Sequence, residues 1–166
     1  EYHLDPDRIV AWGSSAGGHL VALLGVTDDD DGFGCAGDYQ EYSSRVLAVV
    51  DHFGPAQLIQ NTGLAIARSV FGARGLRDPI LEQASPTTYV SSDDPPFLIF
   101  HGEMDDTVPL SQSEALFESL KGAGVEATLV VVHNAAHAFR PEGGDIQPSR
   151  LEISQMLADF FDEYVK

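Results

Sequence analysis

Short apolar runs alternate with stretches of helical periodicity along the chain, and this alternation predicts the fold. The runs that predict buried strands are Arg8–Gly13, Val46–Asp51, Phe97–His101 and Ala127–Val132. The stretches that predict helices are Ala16–Leu24, Ser111–Ala123 and Ser149–Val165. Because strands and helices alternate, we expect an α/β fold with a parallel sheet of about four strands, helices on both faces and right-handed crossovers.

The remaining segments are less regular. Residues 27–44 are rich in Asp and Gly without periodicity, which predicts a long surface loop. Residues 54–94 are only weakly helical, near Leu64–Phe71 and Ile80–Ala84, and are interpreted as a cap or lid over a site. No linker or repeat interrupts the chain, so residues 1–166 are expected to form a single domain.

The final predicted helix carries an apolar stripe that we expect to pack into the core. Its members are Leu151, Met156, Leu157, Phe160 and Phe161.

Composition narrows the classes of function. The formal net charge of −17 repels phosphate backbones, so nucleic acid is not an expected partner. No apolar run is long enough to span a bilayer, and because the chain begins at Glu1 without a Met, a cytoplasmic and a secreted location both remain open.

The single cysteine, Cys35, excludes an internal disulfide. Thr27–Asp38 fits a calcium loop poorly, because its first residue is Thr and its last is not Glu, so no metal or other cofactor is expected.

A candidate nucleophile lies between the first predicted strand and helix. Residues 13–17, Gly-Ser-Ser-Ala-Gly, match the G-x-S-x-G pattern, in which a sharp turn raises the central serine above the sheet. The pattern therefore indicates Ser15. At a helix N-terminus, free backbone N–H groups favour developing negative charge, and the N–H of Ala16 is the expected oxyanion donor.

A serine hydroxyl needs a base, and the base needs an acid to orient it. Asp105 and Asp106 follow the third predicted strand, and either could be the acid; His137 follows the fourth and is the expected base. Active sites of parallel sheets form at the carboxyl ends of the strands, so these groups should meet at one rim. His133 is the alternative base, but it lies too close to its strand to reach across. The other histidines, among them His19, are interpreted as surface, helix or strand-end residues.

Several longer stretches carry a family resemblance. They are Asp5–Leu20, Tyr42–Pro55, Ala84–Val90 and Pro95–Gly102. Together with the loops that carry Asp105 and His137, these stretches resemble the bacterial esterase/lipase group of the α/β-hydrolase superfamily. Members of this group are acetyl- or feruloyl-esterase-like and are related to hormone-sensitive-lipase-like enzymes. The resemblance implies the C-terminal half of an α/β-hydrolase fold, with Asp105 as the acid of an H-G-x-x-D motif. It also implies His137 as the base, although Ala135 and Ala136 stand where glycine is usual.

The resemblance implies a serine ester hydrolase acting on small ester substrates, of short-chain, acetyl or feruloyl type. It also implies that the first strands of the family fold, and its H-G-G-type oxyanion loop, are missing from this chain. The strand before Ser15 would then have an unpaired edge through which the chain could form a homo-oligomer. Two alternatives remain: an amide hydrolase, of aryl formamidase or prolyl-oligopeptidase type, and an inactive self-associating fragment.

Overall fold

The computed structural model describes residues 5–28, 31, 33, 42–59 and 69–166. A parallel sheet with strand order β1-β2-β3-β4 forms its centre. The strands are β1 (Ala11–Ser14), β2 (Val49–His52), β3 (Phe97–Gly102) and β4 (Ala127–Val132). A short antiparallel pair follows, made of β5 (Ala135–Ala136) and β6 (Arg140–Pro141). The helices are α1 (Ala16–Val26), α2 (Pro79–Gln83), α3 (Ser111–Ala123) and α4 (Arg150–Val165).

Alternation of side chains along the strands builds a core on each face of the sheet. In β3, Phe97 and Ile99 belong to the cluster that includes residues of α1 and α3. Leu98 and Phe100 belong to the opposite cluster, which includes residues of α4. Both faces of the sheet are therefore covered by helices, which confirms the predicted fold class. The two central strands, β2 and β3, are buried along their whole length, as expected for apolar runs without polar alternation.

Small residues form much of the buried face of α1, together with His19 and Val26. Gly18, Ala22 and Gly25 are buried, whereas Leu20 is 64% exposed. A Cβ atom on Gly25 would lie 2.7 Å from the side chains of Phe97 and Val49. The helix therefore approaches the sheet more closely than leucine side chains at these positions would permit. Leu20 and Leu24 are exposed instead.

Helix α4 begins with a capping box, in which Ser149 and Glu152 each bond the other's backbone N–H. Ile153 is buried, and Met156, Leu157, Phe160 and Phe161 pack against the core as predicted. The prediction is wrong for Leu151, which is 80% exposed. Leu151 precedes Ile153 by two positions, or about 200° around a helix, so it faces solvent when Ile153 faces the sheet.

The described part of the predicted cap has its own small core and is hydrogen-bonded to helix α3. Leu58, Ala73, Leu81 and Ala84 form this cluster. Gln112 of α3 accepts hydrogen bonds from the backbone N–H groups of residues 56 and 57. Residues 60–68 lie outside the described part, and so does Cys35; the role of residues 54–94 as a cap stays a prediction.

Strand β1 lies at the edge of the sheet and pairs with β2 alone among the described strands. Trp12, in the middle of β1, is 58% exposed, and Ile9 just before the strand is also exposed. The predicted unpaired edge next to the nucleophile is therefore present in the described fold. Among the described helices, none is both long and apolar enough to cross a membrane.

Candidate active site

Ser15 occupies a sharp turn between β1 and α1. Its backbone has φ 54° and ψ −118°, a positive-φ conformation that is rare outside glycine. Gly13 permits the turn, because a Cβ atom there would overlap the carbonyl oxygen of Gly17. The backbone N–H of Ser15 donates to the carbonyl of His52 (2.8 Å), which anchors the turn to β2. The Ser15 hydroxyl does not cap the helix and lies against His137 instead.

Asp105 lies in the loop after β3 with a buried carboxylate. Its Oδ1 accepts hydrogen bonds from the backbone N–H groups of Thr107 (2.9 Å) and Val108 (2.8 Å). Its Oδ2 accepts from Nδ1 of His137 at 2.7 Å. Asp106 is exposed, and its Oδ1 accepts a long hydrogen bond from the Thr107 hydroxyl at 3.4 Å. Of the two acids considered from the sequence, the structure places Asp105 against His137.

His137 follows β4 and β5 and lies between the acid and the serine. Its Nε2 is 3.1 Å from Oγ of Ser15. Because Nδ1 donates its proton to the carboxylate, Nε2 is free to accept the hydroxyl proton. A tight turn follows His137 directly, in which Ala138 has φ 59° and Phe139 has φ 52°. The turn packs closely on β3: a Cβ atom on Gly102 would overlap the carbonyl oxygen of Ala135.

The structure brings Ser15, His137 and Asp105 together at the carboxyl ends of β1, β3 and β4. Their side chains form a continuous hydrogen-bonded chain. His133 is not part of it; it is exposed and pairs with Glu103 at 3.1 Å. The backbone N–H of Ala16 lies at the start of α1, next to Ser15, where the helix dipole favours an anion. Its role as an oxyanion donor stays a prediction.

Two other histidines lie deeper than the sequence indicated. His19, which lies in α1, is buried, and its Nε2 donates to the carbonyl of Ala84 at 2.7 Å. His101 is fully buried and 3.6 Å from Oδ2 of Asp105. Its Nε2 donates to the carbonyl of Val108, in the loop that carries Asp105. Burial lowers the pKa of both rings, which keeps them neutral.

The end of β2 holds two buried groups that sequence reasoning missed. Burial raises the pKa of Asp51 to about 7 and lowers the pKa of His52 to about 4. Within the described part of the chain, Oδ2 of Asp51 and Nε2 of His52 have no hydrogen-bond partner. His52 instead lies among Trp12, Phe53, Phe100 and Phe139. His52 is therefore neutral near neutral pH, whereas Asp51 keeps its proton only up to about pH 7.

Asp51 should make the protein less stable as pH rises. The folded state holds its proton up to about pH 7, whereas an unfolded Asp loses it near pH 4, so stability falls across that interval. We therefore expect the free energy of unfolding of Asp51→Asn, relative to that of the unmodified protein, to be larger at pH 8 than at pH 5 by roughly 2–3 kcal/mol. Urea unfolding of both proteins at these two pH values measures the difference. An equal difference at both pH values would contradict the expectation.

No cluster of three or more His, Cys, Asp or Glu side chains among the described residues is arranged to hold a metal ion. Much of the weak calcium-loop match at residues 27–38 lies outside the described part.

Comparison with known proteins finds esterases among the proteins similar to this chain. The BD-FAE family model matches residues 1–120. Esterase LipQ of Mycobacterium tuberculosis is 33% identical over 84% of this chain and 34% of its own length. The chain thus spans about a third of that relative.

Solved structures agree with the sequence comparison. A structure described as a truncated form of carbohydrate esterase from gut microbiota is 31% identical and has a TM-score of 0.80, over 99% of this chain and 62% of that one. Thermogutta terrifontis esterase 2, phosphorylated by paraoxon, is 29% identical with a TM-score of 0.74, over 96% of this chain and 55% of its own.

Proposed function

Since the chain belongs to the BD-FAE family, we propose that it supplies the triad of a serine carboxylic ester hydrolase. The single observation that carries the proposal is the continuous hydrogen-bonded chain from the Ser15 hydroxyl through His137 to the Asp105 carboxylate. This order of hydroxyl, imidazole and carboxylate is what nucleophilic catalysis by serine requires. The names of the relatives support ester substrates.

The proposed reaction is an acyl transfer in two halves. Nε2 of His137 takes the hydroxyl proton while Oγ of Ser15 attacks the ester carbonyl, and the N–H of Ala16 donates to the oxyanion. The imidazolium then protonates the departing alcohol, leaving an acyl group on Ser15. Water repeats the sequence with His137 as base, which releases the carboxylic acid and restores the serine.

Asp105 has a defined part in this scheme. Its Oδ2 accepts the Nδ1 proton, which selects the tautomer with an unprotonated Nε2 and stabilises the imidazolium. The two backbone N–H donors on Oδ1 hold the carboxylate in place. The acid is therefore oriented before substrate arrives.

The proposed substrates are short-chain, acetyl or feruloyl-type esters. The similarity to a carbohydrate esterase supports this class. An amide hydrolase with the same triad, or an inactive self-associating fragment, would be distinguished by the following experiment.

Ester turnover and covalent labelling together test the proposal. We expect the full-length protein to hydrolyse p-nitrophenyl acetate and to leave the matched p-nitroanilide largely intact. We also expect a fluorophosphonate probe to add one equivalent of mass, located on Ser15 by peptide mapping. Faster anilide turnover would identify an amidase, and failure to label would identify an inactive chain. Heat-unfolded protein is the control for nonspecific labelling.

A further inference from the structure

Phe53, directly after β2, has an unusual backbone. Its φ is 46°, in the left-handed region that bulky side chains rarely enter because Cβ crowds the following carbonyl. The residue is only 4% exposed, so this conformation is kept within the packed interior. Strained residues of this kind persist only where the surrounding structure holds them, and they cluster at functional sites.

The backbone turn at residues 51–54 is held by hydrogen bonds on two sides. The backbone N–H of Phe53 donates to the carbonyl of Phe100 in β3 at 2.8 Å. On the other side, Oδ1 of Asp51 accepts from the N–H of Gly54 at 2.9 Å. The Asp51 carboxyl is packed so tightly against the first turn of α1 that a Cβ atom on Gly18 would overlap it. The turn is therefore fixed relative to the helix that begins after Ser15.

The ring of Phe53 packs on the imidazole of His137. Their centroids are 4.9 Å apart with an angle of 64° between the planes, and Phe53 also contacts Phe139 edge-on at 4.9 Å. The two hydrogen bonds of His137 fix the ends of its ring but still allow it to swing about the line that joins Asp105 to Ser15. A ring packed beside the imidazole opposes that swing.

We propose that Phe53 is a positioning residue for the triad: its ring, held by the strained turn at residues 51–54, keeps the imidazole of His137 aligned between Asp105 and Ser15. This inference rests on the proposed function. Asp51 contributes indirectly, since its carboxyl oxygen holds the backbone that presents the Phe53 ring.

Phe53→Leu in the full-length protein tests the proposal, with Phe100→Leu as a matched control. Phe100 is equally buried and contacts His52. We expect Phe53→Leu to lower kcat by roughly 10- to 100-fold with little change in KM, because a small misplacement of a reacting group is costly. Phe100→Leu should lose comparable stability in urea but keep its kcat. Equal losses of kcat in both variants, or none in Phe53→Leu, would overturn the proposal.

A second pair of variants covers the case in which Phe53→Leu does not fold. Asp51→Ala removes the acceptor for the Gly54 N–H and should lower kcat in the same way. Asp51→Asn keeps an oxygen at that position and should restore kcat relative to Asp51→Ala. Absence of this rescue would show that the turn does not act through the hydrogen bond.

A proton NMR measurement separates this proposal from the proposed function, because it needs no substrate. The His137 Nδ1 proton, in a 2.7 Å bond to the carboxylate, should give a far-downfield resonance. We expect that signal to broaden or shift in Phe53→Leu and to persist in Phe100→Leu. An unchanged signal in Phe53→Leu would refute the positioning role even if the wild-type protein proved inactive on esters.

Discussion

Replacing Ser15 with alanine is expected to lower kcat for p-nitrophenyl acetate by about 10⁶-fold, leaving only background catalysis. The loss is large because no other described hydroxyl is within hydrogen-bonding distance of Nε2 of His137. The fold should be unaffected, since the Ser15 hydroxyl makes no capping bond and alanine keeps the Cβ atom. Single-turnover kinetics at saturating substrate measure the loss.

Ser14 provides the matched control for this variant. It is the preceding residue, lies at the end of β1 and is exposed. Ser14→Ala should retain activity and react with the fluorophosphonate probe as the unmodified protein does. If Ser15→Ala still turned over ester while Ser14→Ala did not, the nucleophile would have to be reassigned.

Asp105→Asn is expected to lower kcat by about 10⁴-fold. The amide of asparagine can donate to Nδ1, which favours the tautomer that carries its proton on Nε2. That tautomer cannot accept the proton of Ser15, although the geometry of the site is retained. The pH dependence of kcat should change together with its magnitude, which distinguishes this loss from simple unfolding.

Asp106→Asn is the control for the acid. Asp106 is adjacent in the chain and exposed, and it makes no contact with His137. Its substitution should leave kcat nearly unchanged. Comparable losses in the two variants would mean that net charge near the rim, rather than a specific bond to His137, supports activity.

The elements and the three candidate residues were accessible from the sequence because they depend on local signals. Apolar runs identify strands buried on both faces, and the glycines around Ser15 mark a turn whose geometry excludes larger residues at position 13. Asp105 and His137 follow the third and fourth strands, and parallel strands place such loops at one rim. Choosing between Asp105 and Asp106 required the family resemblance, since spacing alone left both open.

What the sequence did not reveal depends on neighbours distant in the chain. Asp51 lies in an apolar run, and only the approach of Gly18 shows that its carboxyl is enclosed. Nothing local to Phe53 predicts a positive φ, because the hydrogen bond to Phe100 and the packing of His137 impose it. His19 was interpreted as a surface or helix residue; it lies in α1, and its burial could not be predicted because its partner, the carbonyl of Ala84, lies 65 positions away.

The sequence separation within the triad has a consequence for how the protein acquires activity. Ser15 and His137 are 122 positions apart, and the triad is carried by the segments that follow β1, β3 and β4. Such non-local contacts form late, because closing a long loop has an entropic cost that only the docked strands offset. During refolding, ester turnover should therefore recover later than the helical circular dichroism signal. The time at which turnover recovers would then report when the sheet is complete.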